Sequence, residues 1–265
     1  MIPFYFGAPP KRLYGCHHLP QVSCGMTLAV VLCYPIGQEY IQTHRVIYQL
    51  GVLLSRVGFH VLRFDYFGCG DSEGHFEQGS LAQWTDDLHR AVEEIQNRSG
   101  LTKVCLIGLR VGANLALQLG ADCPDLHSAV LWEPIFDGKL YLKEMAHDEA
   151  QYLNRTLYQQ RASLKRLRAQ MQDELFGFPM TSDLRKDLEM INLRHVRVRP
   201  NVRVLVLCNR EESDRSSDLR HLIQSNPHAD FRVIPEQTEV WKVHRRLTPS
   251  SSLQYIVEWL DRVRT

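Results

Sequence analysis

The stretch from Val104 to Leu115 (VCLIGLRVGANL) contains residues at a spacing that is typical of a catalytic turn. Its first part, Val104–Ile107, has the length and β-branched content of a buried strand, and the residues after the turn favour a helix. Gly108 and Gly112 match the glycines of G-x-S-x-G, the nucleophile elbow, in which a serine on a strained turn attacks a carbonyl carbon. Glycines are required there because Cβ atoms would collide with the flanking strand and helix. In this chain the central residue is Arg110 instead of serine.

Arginine at the centre of the turn excludes acylation at that residue. Its guanidinium has a pKa above about 12 and no acceptor lone pair, so it is not an acyl-accepting nucleophile. The helix that begins at Val111 still presents free N–H groups and the positive end of its dipole. The N-terminal end of a helix beside a guanidinium predicts a binding site for a carboxylate, phosphate or thioester oxygen.

A second interpretation of Arg110 is an internal ion pair. A buried arginine needs a partner, since an unpaired charge costs several kcal/mol. The acidic residues that can lie across the pocket are Glu39, Glu133, Glu212 and Glu239. A protein carboxylate at the guanidinium favours a plugged or purely binding site, whereas a bound anion or an empty polar cavity favours retained chemistry. The sequence leaves both interpretations open.

Strands and helices alternate along the chain. Apolar runs predict strands at 26–33, 59–65, 104–107, 127–132, 202–208 and 230–234, and helical spacing predicts helices at 43–56, 80–96, 111–117 and 250–264. This alternation predicts an α/β fold with a mostly parallel, doubly wound sheet covered on both faces. Ligands of such sheets bind at the carboxyl ends of the strands, so the loops there are expected to converge on one site.

The region 137–198 differs in character from the rest. Charged helical segments dominate it, and one of them begins at a plausible N-cap, Thr181 or Ser182. We interpret 137–198 as a helical lid inserted into a core formed by 1–136 and 199–265.

The composition restricts the partners and the compartment. The 265 residues are 44% hydrophobic and 23% charged, as in an ordinary globular chain, and a net charge of +1 gives no case for nucleic acid or an anionic membrane. No apolar run approaches the roughly 18 residues of a membrane span, and no signal peptide is recognisable. Seven cysteines without a CxxC motif favour a reduced, cytoplasmic protein with buried thiols. No cofactor is indicated, and a homodimer is left open.

Other reactive side chains are weaker candidates. His17 and His18 lack a third metal ligand nearby in sequence, so we expect an exposed pair and no metal site. Cys33, Cys69 and Cys208 are expected to be buried structural thiols.

Five segments together resemble a known superfamily: CYPIGQEYIQTHR (33–45), FDYFGCGDSEG (64–74), GLRVGA (108–113), LWEPIFDGKLYL (131–142) and LFGFPMTSDL (175–184). The chain resembles the α/β-hydrolase superfamily, in its serine-aminopeptidase-like branch with a helical lid. It is most similar to hydrolase-like proteins found beside exosortase systems and in natural-product gene clusters, which carry arginine at the elbow. The resemblance implies the α/β-hydrolase fold over nearly the whole chain.

The resemblance also implies positions for a Ser, Asp or Glu, His triad. The nucleophile position falls on Arg110, and the acid position falls best on Glu212, with Asp214 next. By spacing to the following aromatic residue, the histidine position falls on Glu239, and His244 lies five residues further on. The triad is therefore degenerate.

The oxyanion hole of the superfamily would be formed by the backbone N–H of Val111 together with that of Ile36 or Gly37. Glu39 lies in the same loop and is expected to border the substrate.

These features predict an α/β-hydrolase-fold protein of a biosynthetic pathway with a non-standard site. It would act on a small-molecule or carrier-linked acyl or carboxylate substrate by non-serine hydrolysis, lyase, cyclase or transfer chemistry. The alternative is a catalytically inactive pseudo-hydrolase that binds a ligand or a partner. Whether the protein is an enzyme is left open by the sequence.

Overall fold

The computed structural model describes residues 1–22, 25, 27–156, 173–193, 198–208, 226–234 and 250–264. The strands are β1 (Ile2–Phe6), β2 (Leu13–His18), β3 (Leu28–Cys33), β4 (His60–Phe64), β5 (Lys103–Leu109), β6 (Leu126–Trp132), β7 (Glu174–Leu175), β8 (Phe178–Pro179), β9 (Arg203–Cys208) and β10 (Ala229–Val233). The helices are α1 (Gly37–Arg56), α2 (Leu81–Ser99), α3 (Val111–Asp122), α4 (Gly138–Thr156), α5 (Ser182–Glu189) and α6 (Ser250–Val263).

Eight of the strands form one sheet in the order β1-β2-β4-β3-β5-β6-β9-β10. The pairs β1/β2 and β2/β4 are antiparallel, and every other neighbouring pair is parallel. The central strand β3 is buried along its whole length, as its continuous apolar sequence requires. The predicted mostly parallel sheet is confirmed.

Helix α1 begins six residues before the predicted start at Thr43. The sequence gives no signal for this earlier start, because the N-cap residue is Ile36, whose side chain makes no capping hydrogen bond. As a result, Glu39 lies in the first turn of a helix rather than in a loop, and a carboxylate is favourable there because of the helix dipole.

The pair His17 and His18 corrects a prediction. Both lie on β2 with only 2% and 3% of their surface exposed, so they are not an exposed pair. The His17 Nε2 atom lies 3.0 Å from His60 Nδ1, and His18 Nε2 accepts a hydrogen bond of 2.9 Å from Arg63 Nε. The prediction was wrong because β2 is covered on both faces, although it is next to the edge strand of the sheet.

The two ends of the region from 137 to 193 lie against each other. The N–H of Gly138 donates to the Ile191 carbonyl at 2.9 Å, and that of Leu193 donates to the Phe136 carbonyl at 3.2 Å. Between these ends lie α4, the β7/β8 hairpin and α5, whose N-cap is Thr181, one of the two residues that the sequence offered. The division into a 1–136 and 199–265 core and a 137–198 lid stays a prediction.

Within the described ranges, no helix is both long and apolar enough to cross a membrane.

Candidate functional site

The turn between β5 and α3 has the strained geometry that its glycines predicted. Arg110 has φ 54° and ψ −123°, a backbone conformation that residues other than glycine rarely adopt. A Cβ atom on Gly108 would lie 2.3 Å from the Gly112 carbonyl oxygen, and one on Gly112 would lie 2.3 Å from the Cys33 carbonyl oxygen. Both glycines are therefore required sterically, and α3 begins directly against the end of β3.

The Arg110 side chain is buried and paired with a carboxylate. Its Nε donates to Glu39 Oε1 at 3.1 Å, and its Nη1 donates to the backbone carbonyl of Glu133 at 3.4 Å. The exposed fractions of Arg110 and Glu39 are 5% and 3%. A buried guanidinium needs such compensation, because the loss of hydration otherwise costs several kcal/mol. Of the two acidic candidates that the structure describes, Glu39 contacts the guanidinium through its carboxylate and Glu133 through its backbone carbonyl.

Tyr141 completes this cluster from α4. Its hydroxyl donates to Glu39 Oε2 at 3.0 Å, and its ring centroid lies 5.3 Å from Arg110 Cζ. Burial first, and then the negative charge of Glu39, raises the pKa of Tyr141 well above its usual value. The phenol is therefore a stable proton donor to Glu39, and each oxygen of that carboxylate is hydrogen-bonded. We call Arg110, Glu39 and Tyr141 the elbow cluster.

The elbow cluster brings together three elements that are distant in sequence. Glu39 comes from the first turn of α1, Arg110 from the residue before α3, and Tyr141 from the first turn of α4. The sequence analysis did not select Tyr141, because an aromatic residue in a helical pattern is ordinarily part of the core. The available signal was its place in the segment LWEPIFDGKLYL, which was used only for the resemblance.

The loop expected to supply the oxyanion hole lies next to the elbow cluster. Ile36 is buried and precedes α1, and Gly37 has a φ of 56°. Phe178 of the β7/β8 hairpin covers Gly37, since a Cβ on that glycine would lie 3.5 Å from the ring. Val111 is fully buried as the first residue of α3. The structure thus places Ile36, Gly37 and Val111 at the same edge of the sheet as Arg110, and their oxyanion role stays a prediction.

The remaining candidates for the triad, Glu212, Asp214, Glu239 and His244, lie outside the described residues.

The described cysteines are all buried and reduced. Burial raises the pKa of the Cys33 and Cys69 thiols, which keeps them protonated and unreactive. Among the residues that the structure describes, no group of three or more His, Cys, Asp or Glu side chains is arranged to hold a metal ion.

The sheet order and the strained strand–turn–helix place the chain in the class of α/β hydrolases, and comparison with solved structures supports this. Proline iminopeptidase of Mycobacterium smegmatis superimposes with a TM-score of 0.68 at 14% identity over 99% of each chain. The esterase Pf2001 of Pyrococcus furiosus superimposes with a TM-score of 0.65 at 14% identity, over 100% of this chain and 91% of that one. At these identities the likeness shows the fold, and the predicted α/β-hydrolase fold is confirmed.

The family follows from the sequence match. Residues 37–207 match the serine aminopeptidase S33 family, and the chain belongs to that family. The human protein ABHD12B is 37% identical over 87 residues, which are 33% of this chain and 23% of that protein. The match thus spans less than a quarter of this relative.

Proposed function

We propose that the chain is an α/β-hydrolase-fold protein that does not acylate at its elbow and acts as a ligand- or partner-binding protein. Arg110 takes the position of the nucleophile in this proposal. The observation that carries it is the 3.1 Å contact between Arg110 Nε and Glu39 Oε1. A protein carboxylate at the guanidinium is expected of a plugged site, in which the chain itself fills the anion position. It is not expected of a site that is open to a substrate anion.

The charges around the elbow support this proposal. The positive end of α3 and the Arg110 guanidinium are the two features that would attract a substrate anion. Glu39 supplies the negative charge from within the chain, and Tyr141 holds its second oxygen. An incoming carboxylate would have to displace a buried, doubly held carboxylate before reaching Arg110. The proposed ligand therefore binds beside the elbow cluster without covalent attachment to residue 110.

A second candidate is an enzyme with non-serine chemistry, and the bond between Tyr141 and Glu39 favours it. A carboxylate and a phenol joined by a hydrogen bond of 3.0 Å in a water-poor site are groups that can perform general acid–base catalysis. Such an enzyme would act on an acyl, carboxylate or carrier-linked substrate of a biosynthetic pathway, by hydrolysis, lyase, cyclase or transfer chemistry. For both candidate functions, we propose a cytoplasmic location and no nucleic-acid or membrane partner.

Labelling with a fluorophosphonate, followed by peptide mapping, tests the proposal. We expect no adduct on any serine or cysteine of the natural chain and no hydrolysis of p-nitrophenyl esters. A covalent adduct on any serine or cysteine would overturn the binding role. The double variant Arg110→Ser/Glu39→Gln, which restores the hydroxyl without leaving a buried unpaired carboxylate, shows whether the rest of the machinery is present. The exposed Arg45→Ser is its control.

The same variants separate the two candidates. If the protein is a binding protein, the variant Arg110→Ala/Glu39→Gln is expected to fold. A lysate of cells that carry this variant is then expected to form the products of the biosynthetic pathway at the same rate as a lysate with the natural chain. If it is a non-serine enzyme, this variant abolishes formation of a product that the natural chain supplies.

A further inference from the structure

An apolar groove of about 830 Å³ lies between α1 and α6, and it shares no residue with the elbow cluster. Its walls are formed mainly by aliphatic side chains, namely Val52, Leu53, Val57, Leu253 and Val257. Tyr48 also lines the groove, and 42% of its surface is exposed. Burial of exposed apolar surface favours association, and aromatic residues such as tyrosine are enriched in the cores of protein–protein interfaces.

Each wall of the groove carries one charge, and the two charges have opposite signs. Arg56 is the last residue of α1, and Glu258 lies on α6; both side chains line the groove and are exposed. Within the described ranges, neither residue forms an ion pair, and Glu258 accepts a hydrogen bond of 2.9 Å from Gln254 Nε2 on its own helix. The groove therefore presents a cation and an anion that the chain itself does not pair.

This distribution of charge is complementary to a second copy of the same surface. A two-fold axis directed along the groove would place α1 of one copy over α6 of the other, and every contact would then occur twice. Arg56 of each copy would face Glu258 of the other copy, while the aliphatic walls lie between these two pairs. A hydrocarbon, an anion or a cation would each leave at least one of the two charges unpaired. The net charge of +1 adds little repulsion between copies.

We propose that two copies of the chain associate through this groove, in an isologous dimer that pairs Arg56 with Glu258 across the interface. The apolar walls supply the affinity, and the two charge pairs fix the orientation of one copy on the other. The inference is independent of the function proposed for the elbow cluster, because the two regions share no residue.

Sedimentation of the natural full chain over a range of concentrations is the first test. We expect a reversible equilibrium between monomer and dimer, with no larger species, because a two-fold interface is closed. A chain that stays monomeric up to its highest soluble concentration would overturn the proposal. So would open-ended association, which requires a different kind of interface.

Reversal of the charges locates the interface. In Arg56→Glu and in Glu258→Arg, like charges would face each other twice, and the dissociation constant of the dimer is expected to rise about tenfold. Lys143→Glu on α4 and Glu93→Arg on α2 reverse exposed charges outside the groove and are expected to leave it unchanged. Circular dichroism checks that each variant is folded. A dimer that survives both reversals in the groove uses another surface and contradicts the proposal.

Mixing the two single variants tests the symmetry of the pairing. One variant carries two negative charges at the groove and the other carries two positive charges, so the mixture is expected to form a heterodimer more tightly than either variant associates with itself. The double variant Arg56→Glu/Glu258→Arg is expected to recover the dissociation constant of the natural chain. If one single variant does not fold, the double variant provides the same test. Failure of both the mixture and the double variant to recover association would overturn the pairing of Arg56 with Glu258.

Discussion

Two buried arginines of this molecule are compensated in different ways. Arg110 is 5% exposed and Arg63 is 7% exposed, and each has an aromatic ring near its guanidinium, Tyr141 and Tyr48 respectively. Arg110 is paired with the carboxylate of Glu39. Among the described residues, Arg63 has only neutral partners: it donates to His18 Nε2 at 2.9 Å, the Tyr34 hydroxyl at 2.7 Å and the Met1 sulfur at 3.4 Å.

The difference teaches what each arginine does in the fold. Arg63 lies on β4 and donates to uncharged acceptors on β2 (His18), directly after β3 (Tyr34) and before β1 (Met1), so no carboxylate accepts a hydrogen bond from it among the described residues. Burial first, and then the positive charge of Arg63, lowers the pKa of His18 to about 4. At the elbow the charge is compensated within the chain, by a carboxylate that itself has two partners. The elbow cluster is therefore an internally neutral unit, in agreement with a binding rather than an acylating site.

The largest effect is expected from Glu39→Ala, which makes Arg110 resemble Arg63 by removing its anion. The Arg110 guanidinium would stay buried without a counter-charge, and the free energy of unfolding is expected to fall by about 3–5 kcal/mol. Urea unfolding measures this. The exposed Glu77→Ala is the control and is expected to change stability by less than about 0.5 kcal/mol. A loss below about 1 kcal/mol in Glu39→Ala would show that the carboxylate is not the compensating group.

A smaller effect is expected from Tyr141→Phe, which keeps the ring over Arg110 and removes the hydrogen bond to Glu39. Loss of a hydrogen bond to a charged group is expected to cost about 1.5–3 kcal/mol. Because Tyr141 belongs to α4, amide exchange over 138–156 is expected to become faster. Tyr48→Phe is the matched control at Arg63, since its ring faces that guanidinium and its hydroxyl has no hydrogen bond within the described ranges. Equal behaviour of the two variants would remove Tyr141 from the elbow cluster.

A further effect concerns pH and the two buried histidines on β2, His17 and His18. Burial first, and then His60, lowers the pKa of His17 to about 4, and burial first, and then Arg63, lowers that of His18 to about 4. The unfolded chain binds protons on both side chains near pH 6.5, whereas the folded chain does not. Stability is therefore expected to be constant above pH 7 and to fall as the pH decreases from about 6.5 towards 5.

Thermal unfolding of the natural chain and of His17→Gln/His18→Gln between pH 7.5 and 5 measures this dependence. The double variant is expected to show a flatter profile. Parallel profiles for the two proteins would mean that these histidines are protonated in the folded state.

The sequence predicted the backbone of the site better than its side-chain contacts. Period and β-branching located β5, and the steric need for Gly108 and Gly112 located the turn, because both are local properties of the chain. The partner of Arg110 was restricted to four acids but not chosen, since Glu39 lies 71 positions away and its helix lacks a recognisable cap. Tyr141 was missed because only the three-dimensional structure shows that its hydroxyl, at the start of α4, donates to the Glu39 carboxylate at the start of α1, 102 positions away.

The histidines on β2 were misjudged for a related physical reason. Adjacent side chains on a strand point to opposite faces, so a pair of polar residues suggests at least one exposed side. Here His60 covers one face and Arg63 the other, and these contacts depend on the antiparallel register of β2 with β4. Sequence alone does not specify that register.

The central claim, that Arg110 and Glu39 are energetically coupled inside the fold, is tested most directly by a double-mutant cycle. The free energy of unfolding is measured for the natural chain, Arg110→Met, Glu39→Gln and the double variant. We predict that each single change is destabilising and that the double variant recovers about 2–3 kcal/mol relative to the sum of the two. Additive effects, with a coupling below about 0.5 kcal/mol, would contradict the ion pair and the plugged elbow that depends on it.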